Sequence, residues 1–341
     1  MKKIIVAPLN WGLGHASRCV PIINSLLENN FLPIIASDGE ALLFLQKEFP
    51  NLEFLELPSY NISYARNLKW NLFLQLPKVL KAIKKEQKVI ENFVAENNIC
   101  GIISDNRFGV RSKKVHSVYI THQVNVLSGI FTFLTSKIHQ NIIKKFDECW
   151  IPDLENSVFS GKLSSSKKNL NQKFIGVLSR FAKQDSPIKN DVLIILSGIK
   201  SQRIQLEKKL KKEFKNYNGK VFLVQGKIEN QQKKTVENNI EIYNFMLFEE
   251  LQKTINESEV VVCRAGYSSI MDLAVLEKKM FLIPTKNQTE QEYLANYLLK
   301  KYGVSFSSEE NFTLKKFKNI KSFKKLSAKE NKINSELFSS F

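Results

Sequence analysis

The segment Cys263-Arg264-Ala265-Gly266-Tyr267-Ser268-Ser269 constrains the fold of this chain more than any other. It follows an apolar run of buried-strand type, Val260-Val261-Val262, and opens an apolar helical run from Ile270 to Leu276. A small-residue turn from strand to helix points backbone N–H groups, and the positive end of the helix, at whatever lies above the sheet. That arrangement suits a phosphate and needs an α/β layer to hold it. Asp272 lies further along the same helix. It can be a solvated helix carboxylate or a ribose acceptor, and its fixed offset from Gly266 favours the ribose.

The same alternation recurs along the chain. Ile4-Ile5-Val6-Ala7 is a short strand, and its setting suits a first strand better than a signal peptide. It enters a second glycine turn, Asn10-Trp11-Gly12-Leu13-Gly14-His15, and then a helix ending near Asn29-Asn30. Leu32 to Ser37, Leu52 to Leu57, Gly101 to Asp105 and Ser117 to Thr121 are further strands, with a long helix over Lys69 to Asn97 interrupted near Pro77. After a polar stretch around Ser164 to Asn169 the pattern restarts, with strands at Val192 to Leu196, Lys220 to Val224, Val260 to Cys263 and Met280 to Pro284. Strands alternating with helices predict parallel, doubly wound sheets. Ligands of such sheets collect at the carboxyl ends of the strands.

At 341 residues two domains are expected, and an apolar fraction of 43% supplies a core for each. The fold class is α/β, with two Rossmann-like domains facing a cleft. The boundaries fall at residues 1–180 and 181–320, with a basic tail at 321–341 that can cross back to the first domain. No apolar run is long enough to span a bilayer. Cys19, Cys100, Cys149 and Cys263 have no paired spacing, which argues against a zinc site or a disulfide framework and fits a reducing cytoplasm. The net charge of +18 suggests an anionic partner, or simply lysine-biased residue usage.

In these motifs the chain resembles glycosyltransferases of the two-Rossmann (GT-B) type, and family 28 in particular, which includes a GlcNAc transferase acting on a lipid-linked acceptor. The resemblance runs from about Lys3 to Tyr302. It is carried by Ile242 to Met246, Val260 to Pro284 and Asn287 to Glu292. The Gly-x-Gly-His turn, Thr121 to Asn125 and Gly176 to Arg180 fall in the expected order. The resemblance implies a nucleotide-sugar donor, a UDP-sugar by preference, in the C-terminal domain. Asp272 would hold the ribose, and Ala265, Gly266, Ser268 and Ser269 would cradle the diphosphate. Phe245 and Met246 would pack on the base, Gln291 and Glu292 would contact the sugar, and Arg180, Ser197 and Gly198 would lie near the phosphates. The chain departs from the family at Glu277 and Lys279, at Glu292, where glutamine is common, and at Asn10-Trp11, where smaller residues are usual.

Sugar transfer needs a base for the acceptor hydroxyl and stabilisation of the leaving diphosphate. His15 suits the first task, since an imidazole exchanges protons near neutrality; its other reading is a helix cap. His122 can touch the acceptor or orient a loop. Asp105 can contact the acceptor, orient His15 or form an Asx turn. Gly12, Gly14 and Asn125 complete the expected acceptor side. Helix N-termini with Arg180 or Arg264 would stabilise the leaving group, although Arg264 can equally pair with a neighbouring carboxylate. No Asp-x-Asp motif suggests a metal, and no cofactor is expected beyond the nucleotide-sugar co-substrate.

The apolar, aromatic and basic stretch Leu68 to Lys85 can rest on an anionic membrane or form an ordinary core-facing helix; most amphipathic helices are packed. The function expected is a metal-independent, inverting hexosyl transfer to a glycan or lipid-linked acceptor. Its place would be the cytoplasm, at the inner face of the membrane where peripheral. A nucleotide-sugar hydrolase or epimerase is the alternative, because Gly14-His15-Ala16-Ser17-Arg18 also fits hydrolases of UDP-sugars. A nucleic-acid binder is not expected, for no recognised module is present.

Overall fold

A computed structural model of the protein describes residues 1–60, 68–165, 169–328 and 333–341, with the side chains of 68–76 outside the description. The N-terminal half runs β1 (Lys2–Pro8), α1 (Gly14–Glu28), β2 (Phe31–Ser37), α2 (Gly39–Glu48), β3 (Glu53–Glu56), α3 (Leu68–Glu96) and β4 (Ile99–Asp105). It continues through β5 (His116–Ile120), α4 (Thr132–Ile143), β6 (Glu148–Ile151) and β7 (Gln172–Phe174). The second half has β8 (Asn190–Ile195), α5 (Lys200–Phe214), β9 (Val221–Val224), β10 (Lys234–Glu237), β11 (Ile240–Tyr243) and α6 (Phe248–Asn256). Then come β12 (Ser258–Cys263), α7 (Tyr267–Val275), β13 (Lys279–Leu282), α8 (Thr289–Tyr302), β14 (Ser305–Phe306) and α9 (Leu314–Lys318).

Among the described residues these strands form two seven-stranded sheets, ordered β3-β2-β1-β4-β5-β6-β7 and β10-β11-β9-β8-β12-β13-β14. Every pairing is parallel except β10 with β11. Covering both faces of a parallel sheet buries its strands, so they read as continuous apolar runs. Ile4, Ile5 and Val6 in β1, and Val260, Val261 and Val262 in β12, are buried accordingly.

The strand order reverses between β1 and β4 in the first sheet and between β8 and β12 in the second. Those switch points open a crevice at the strand ends. Leu9 to Leu13 leave β1 at one of them, and Ser197-Gly198 and Arg264 to Gly266 leave β8 and β12 at the other. α1 and α7 pack against each other across the gap, and Ser268 Oγ donates to the Gly14 carbonyl at 2.8 Å.

Some expectations need correction. α3 runs unbroken from Leu68 to Glu96 with Pro77 inside it, so one missing N–H does not end a long helix. Strands β6, β7, β10, β11 and β14 carry too little pattern to be read from sequence. The chain beyond residue 320 lies first on the second half, where Ala328 N donates to Ala274 O. Its end then reaches the first sheet. Phe338 and Phe341 pack on Trp150, and Lys2 Nζ donates to Phe341 O at 2.7 Å. Gly101 leaves the space that the Phe341 ring fills.

Candidate active site

The first switch point carries a wired set of charges. Asp105 ends β4, fully buried, and Leu9 N bonds its carbonyl at 2.9 Å. His15 and Arg18 sit in the first turns of α1 at a spacing of three, so they share a face. Arg18 grips Asp105 with both nitrogens of its fork, Nε to Oδ2 at 2.5 Å and Nη2 to Oδ1. His15 Nδ1 lies 3.0 Å from Asp105 Oδ1. Arg18 Nη2 lies 2.9 Å from the same Nδ1, so the ring bonds Asp105 when Nδ1 is protonated and accepts from Arg18 when it is not. Arg18 Nη1 lies 2.9 Å from His122 Nδ1, and His122 Nε2 lies 2.7 Å from Glu290 Oε1 at the start of α8. Arginine only donates, so His122 accepts from Arg18 and donates to Glu290.

The relay therefore crosses from one half of the protein to the other. The His122 ring also stacks on Tyr267 of α7, with centroids 4.3 Å apart. Burial alone would raise the Asp105 carboxyl, but Arg18 and His15 override it and hold it well below the usual carboxylate range. Burial lowers His122, against the pull of Glu290, so it is held as a neutral donor.

The second switch point is bare by contrast. Among the described residues, no atom beyond the chain neighbours lies within 4 Å of where a Cβ would stand on Gly198 or Gly266. Gly198 has φ +94°, a conformation that favours glycine. α5 and α7 both begin here, after neighbouring strands, and α1 begins opposite them. The first N–H groups of a helix have no partner inside it. Three positive helix ends thus converge on one crevice. Asp272 is half-buried on α7 and accepts from Ser179 Oγ at 2.8 Å, in the segment joining the two sheets. Burial pushes its carboxyl up to about 6, against the opposing pull of Arg180 and Ser179.

The other expected residues are placed as follows. Arg264 is buried and pairs with Glu309 at 2.9 Å, while also donating to the Gln202 carbonyl, so it takes the carboxylate reading and does not reach into the crevice. Arg180 lies beneath the seam, 3.3 Å from Glu48 Oε1 and against the Phe44 ring. Phe245 and Met246 are buried after β11; Phe245 N donates to Asn244 Oδ1 and its carbonyl accepts from Gln232 Nε2. Gln291 accepts from Thr285 N at 2.9 Å, and Glu292 from Asn287 N at 3.0 Å, so both close their own loop. Asn125 donates to Lys162 O and Ser165 Oγ and is spent on a neighbouring loop.

Three residues in the arrangement escaped the sequence reading: Arg18, Glu290 and Ser179. Arg18 was visible as the end of Gly-His-Ala-Ser-Arg, and Glu290 as the neighbour of Gln291. A further buried cluster supports the first turn. Arg107 pairs with Asp38 at 2.6 Å and Glu86 at 2.5 Å, and Asn10 Nδ2 donates to Asp38 at 3.1 Å. Among the described residues, no group of three or more His, Cys, Asp or Glu side chains is placed to hold a metal ion.

Comparison with solved structures finds the same architecture in glycosyltransferases. The kitacinnamycin glycosyltransferase aligns with a TM-score of 0.63 at 13% identity, over 93% of this chain and 88% of its own. MurG of Acinetobacter baumannii aligns at 0.56 and 12%, over 94% and 91%. The spinosyn rhamnosyltransferase SpnG aligns at 0.61 and 11%, over 90% and 86%. These likenesses establish the GT-B fold. Comparison with curated protein sequences finds no match. Residues 158–336, more than half of the length, match the sequence model of the glycosyltransferase family 28 C-terminal domain, and the chain belongs to that family.

Proposed function

We propose that this glycosyltransferase moves a hexosyl group from a UDP-sugar to a glycan or lipid-linked acceptor, with inversion and without a metal. One observation carries the reading: His15, bonded to the buried Asp105 and Arg18, opens α1 at the crevice where the helices after β8 and β12 also begin. His15 Nε2 takes the proton of the acceptor hydroxyl, and the oxygen attacks the anomeric carbon. The bond from that carbon to the diphosphate breaks, and its electron pair leaves on the phosphate oxygen. Asp105 stabilises the imidazolium, and the N–H groups of α5 and α7 meet the charge of the departing diphosphate.

In this reading Asp272 holds the ribose, with Ser179 orienting it. Ser197, Gly198, Ala265, Gly266, Ser268 and Ser269 form the diphosphate cradle, and the Phe245-Met246 segment packs on the base. Gln291 and Glu292 shape the sugar end of the site. Gly12 and Gly14 let the first turn approach Gly198 and Ser268 closely, and the acceptor would enter beside this contact. A solved neighbour, SpnG, is complexed with thymidine diphosphate, which supports a nucleotide in this crevice. The hydrolase or epimerase reading is not favoured, because the matching family and the aligned structures are glycosyltransferases.

A lipid-linked acceptor is supported by an exposed apolar surface in addition to the stretch expected from sequence. Of Leu68 to Lys85, the side chains up to residue 76 lie outside the described residues. α4 and the turn before it instead turn their apolar residues outward: Ile130 is 89% exposed, Phe133 80%, Leu134 55% and Ile138 54%. The face that α4 buries carries Ser136, His139 and Ile143. Lys137, Lys144 and Lys145 are exposed on the same helix and its end. An apolar face with a basic border suits an anionic lipid surface, at the cytoplasmic side of a membrane. Among the described residues no helix is long and apolar enough to cross one.

Calorimetry with UDP-, GDP- and dTDP-glucose tests the donor assignment. Selective binding of UDP-glucose, weakened roughly ten- to a hundred-fold in Asp272→Ala, is expected. Failure of the folded protein to bind any of the three would overturn it.

A further inference from the structure

A cavity of about 590 Å³ lies apart from the crevice, between the 156–165 loop of the first half and α8 of the second. Tyr293, Asn296, Tyr297 and Lys300 of α8 line it at spacings of three and four, so they share one helix face. Glu290, which bonds His122, precedes Tyr293 by three residues on that face. The cavity therefore continues the seam that begins at the catalytic relay, displaced along α8 by about 5–15 Å at 1.5 Å per residue.

The site is built rather than incidental. Asp153 is fully buried and fixes the opposite wall, accepting from Leu154 N at 2.7 Å, Ser160 N at 2.8 Å and Ser160 Oγ at 2.5 Å. Asn156 and Ser157 are held consecutively at φ +65° and +56°, an arrangement such residues rarely adopt. Gly161 comes so close to the Tyr293 hydroxyl that no side chain fits there. Lys162 N donates to that hydroxyl at 2.8 Å, and Tyr297 OH donates to Val158 O at 2.9 Å. The two tyrosine rings stack with centroids 5.8 Å apart and make an aromatic floor.

Charge decides the occupant. Lys162 projects from one half of the protein and Lys300 from the other; both are exposed, and among the described residues neither ammonium pairs with a carboxylate. Two ammonium groups on opposite walls make the cavity electropositive and favour an anion between them. An aromatic floor suits the C–H face of a pyranose, while Asn156 and the amide oxygen of Asn296, whose Nδ2 donates to Glu292 O, offer partners for its hydroxyls. We infer that this cavity is a subsite for an anionic saccharide, a sugar bearing a carboxylate or phosphate, which bridges the two halves. Nothing in this assignment depends on the transfer reaction.

The test is calorimetry of the full chain with glucuronic acid, glucose 6-phosphate, glucose and inorganic phosphate, in the presence and absence of saturating UDP. The two acidic sugars should bind saturably with and without UDP, each more tightly than glucose or phosphate. Lys162→Ala with Lys300→Ala, both surface substitutions, should weaken them at least about ten-fold, as two lost charge-assisted contacts require. Tyr297→Phe, which keeps the ring, should retain binding, whereas Tyr297→Ala should lose it. Absence of saturable binding, or binding that survives the lysine double variant, would overturn the subsite. Phosphate binding as tightly as glucose 6-phosphate would overturn the saccharide assignment, and displacement by UDP would place the sugar in the crevice instead.

Discussion

The two switch-point turns face each other and are built in opposite ways. The turn after β1 is crowded: His15, Arg18, Asp105 and His122 satisfy one another with bonds of 2.5 to 3.0 Å. The turns after β8 and β12 are empty, with open space at Gly198 and Gly266. Moving a proton requires a base whose ring is oriented in advance, so its surroundings must be complete before substrate arrives. Binding a diphosphate requires backbone N–H groups and close approach, so side chains there would only obstruct. The contrast implies that the two sides should fail differently.

The largest effect is expected from His15→Gln, which keeps the size of the side chain and removes the base. Turnover should fall roughly a hundred- to ten-thousand-fold, read as initial rate at saturating donor. A rate within about three-fold of the parent would break the assignment of labour to the crowded side. Gly266→Val should do the reverse, filling the empty side and abolishing UDP-glucose binding in calorimetry while leaving the relay around Asp105 intact.

Asp272 sharpens the comparison through pH. Its carboxyl is pushed up to about 6 by burial, opposed by Arg180 and Ser179. The folded protein therefore holds this proton more tightly than the unfolded chain, and ionising it costs stability above about pH 6. That cost disappears below the ordinary carboxylate range. Asp272→Asn should thus be more stable than the parent at pH 8, by about 1–3 kcal/mol, and no different at about pH 3. Donor binding should show the opposite trend, since the ionised carboxylate accepts ribose hydroxyls better. UDP-glucose affinity of the parent should rise from pH 5 to pH 7 and stay flat in the variant.

Glu290→Gln should have a smaller effect. The relay to His122 loses its charge but keeps a hydrogen bond, so kcat should fall by a few-fold with donor affinity unchanged. Phe133→Asp with Ile130→Asp should change stability least, within about 0.5 kcal/mol, because both side chains are exposed. That variant should lose flotation with vesicles containing anionic lipid; retained flotation would remove the lipid surface from α4.

Much of this was legible in the sequence, and the parts that were not share a cause. The strand ends and both glycine turns could be read because parallel strands are buried on both faces and stop at small or polar residues. His15, Asp105, Gly198, Gly266 and Asp272 followed from those positions. Arg18 and Glu290 did not, because each acts through a partner more than 80 residues away: Arg18 meets Asp105 and His122 only once the first sheet is assembled, and Glu290 meets His122 only once the two halves dock. Glu290 rather than Glu292 reaches the first half, a difference of two positions that rotates a side chain around α8. The stretch from Leu68 to Lys85 is where apolar and basic residues are densest. α4 reads as an ordinary amphipathic helix, and its exposed apolar residues emerge only because it buries the face of Ser136, His139 and Ile143.

The most direct test of the division between the two sides is the donor dissociation constant of His15→Gln, measured by calorimetry with UDP-glucose beside its turnover. The structure predicts a constant within about two-fold of the parent while turnover collapses. A ten-fold or greater loss of donor binding, or undiminished turnover, would contradict it and show that the crowded turn is not a separate seat of catalysis.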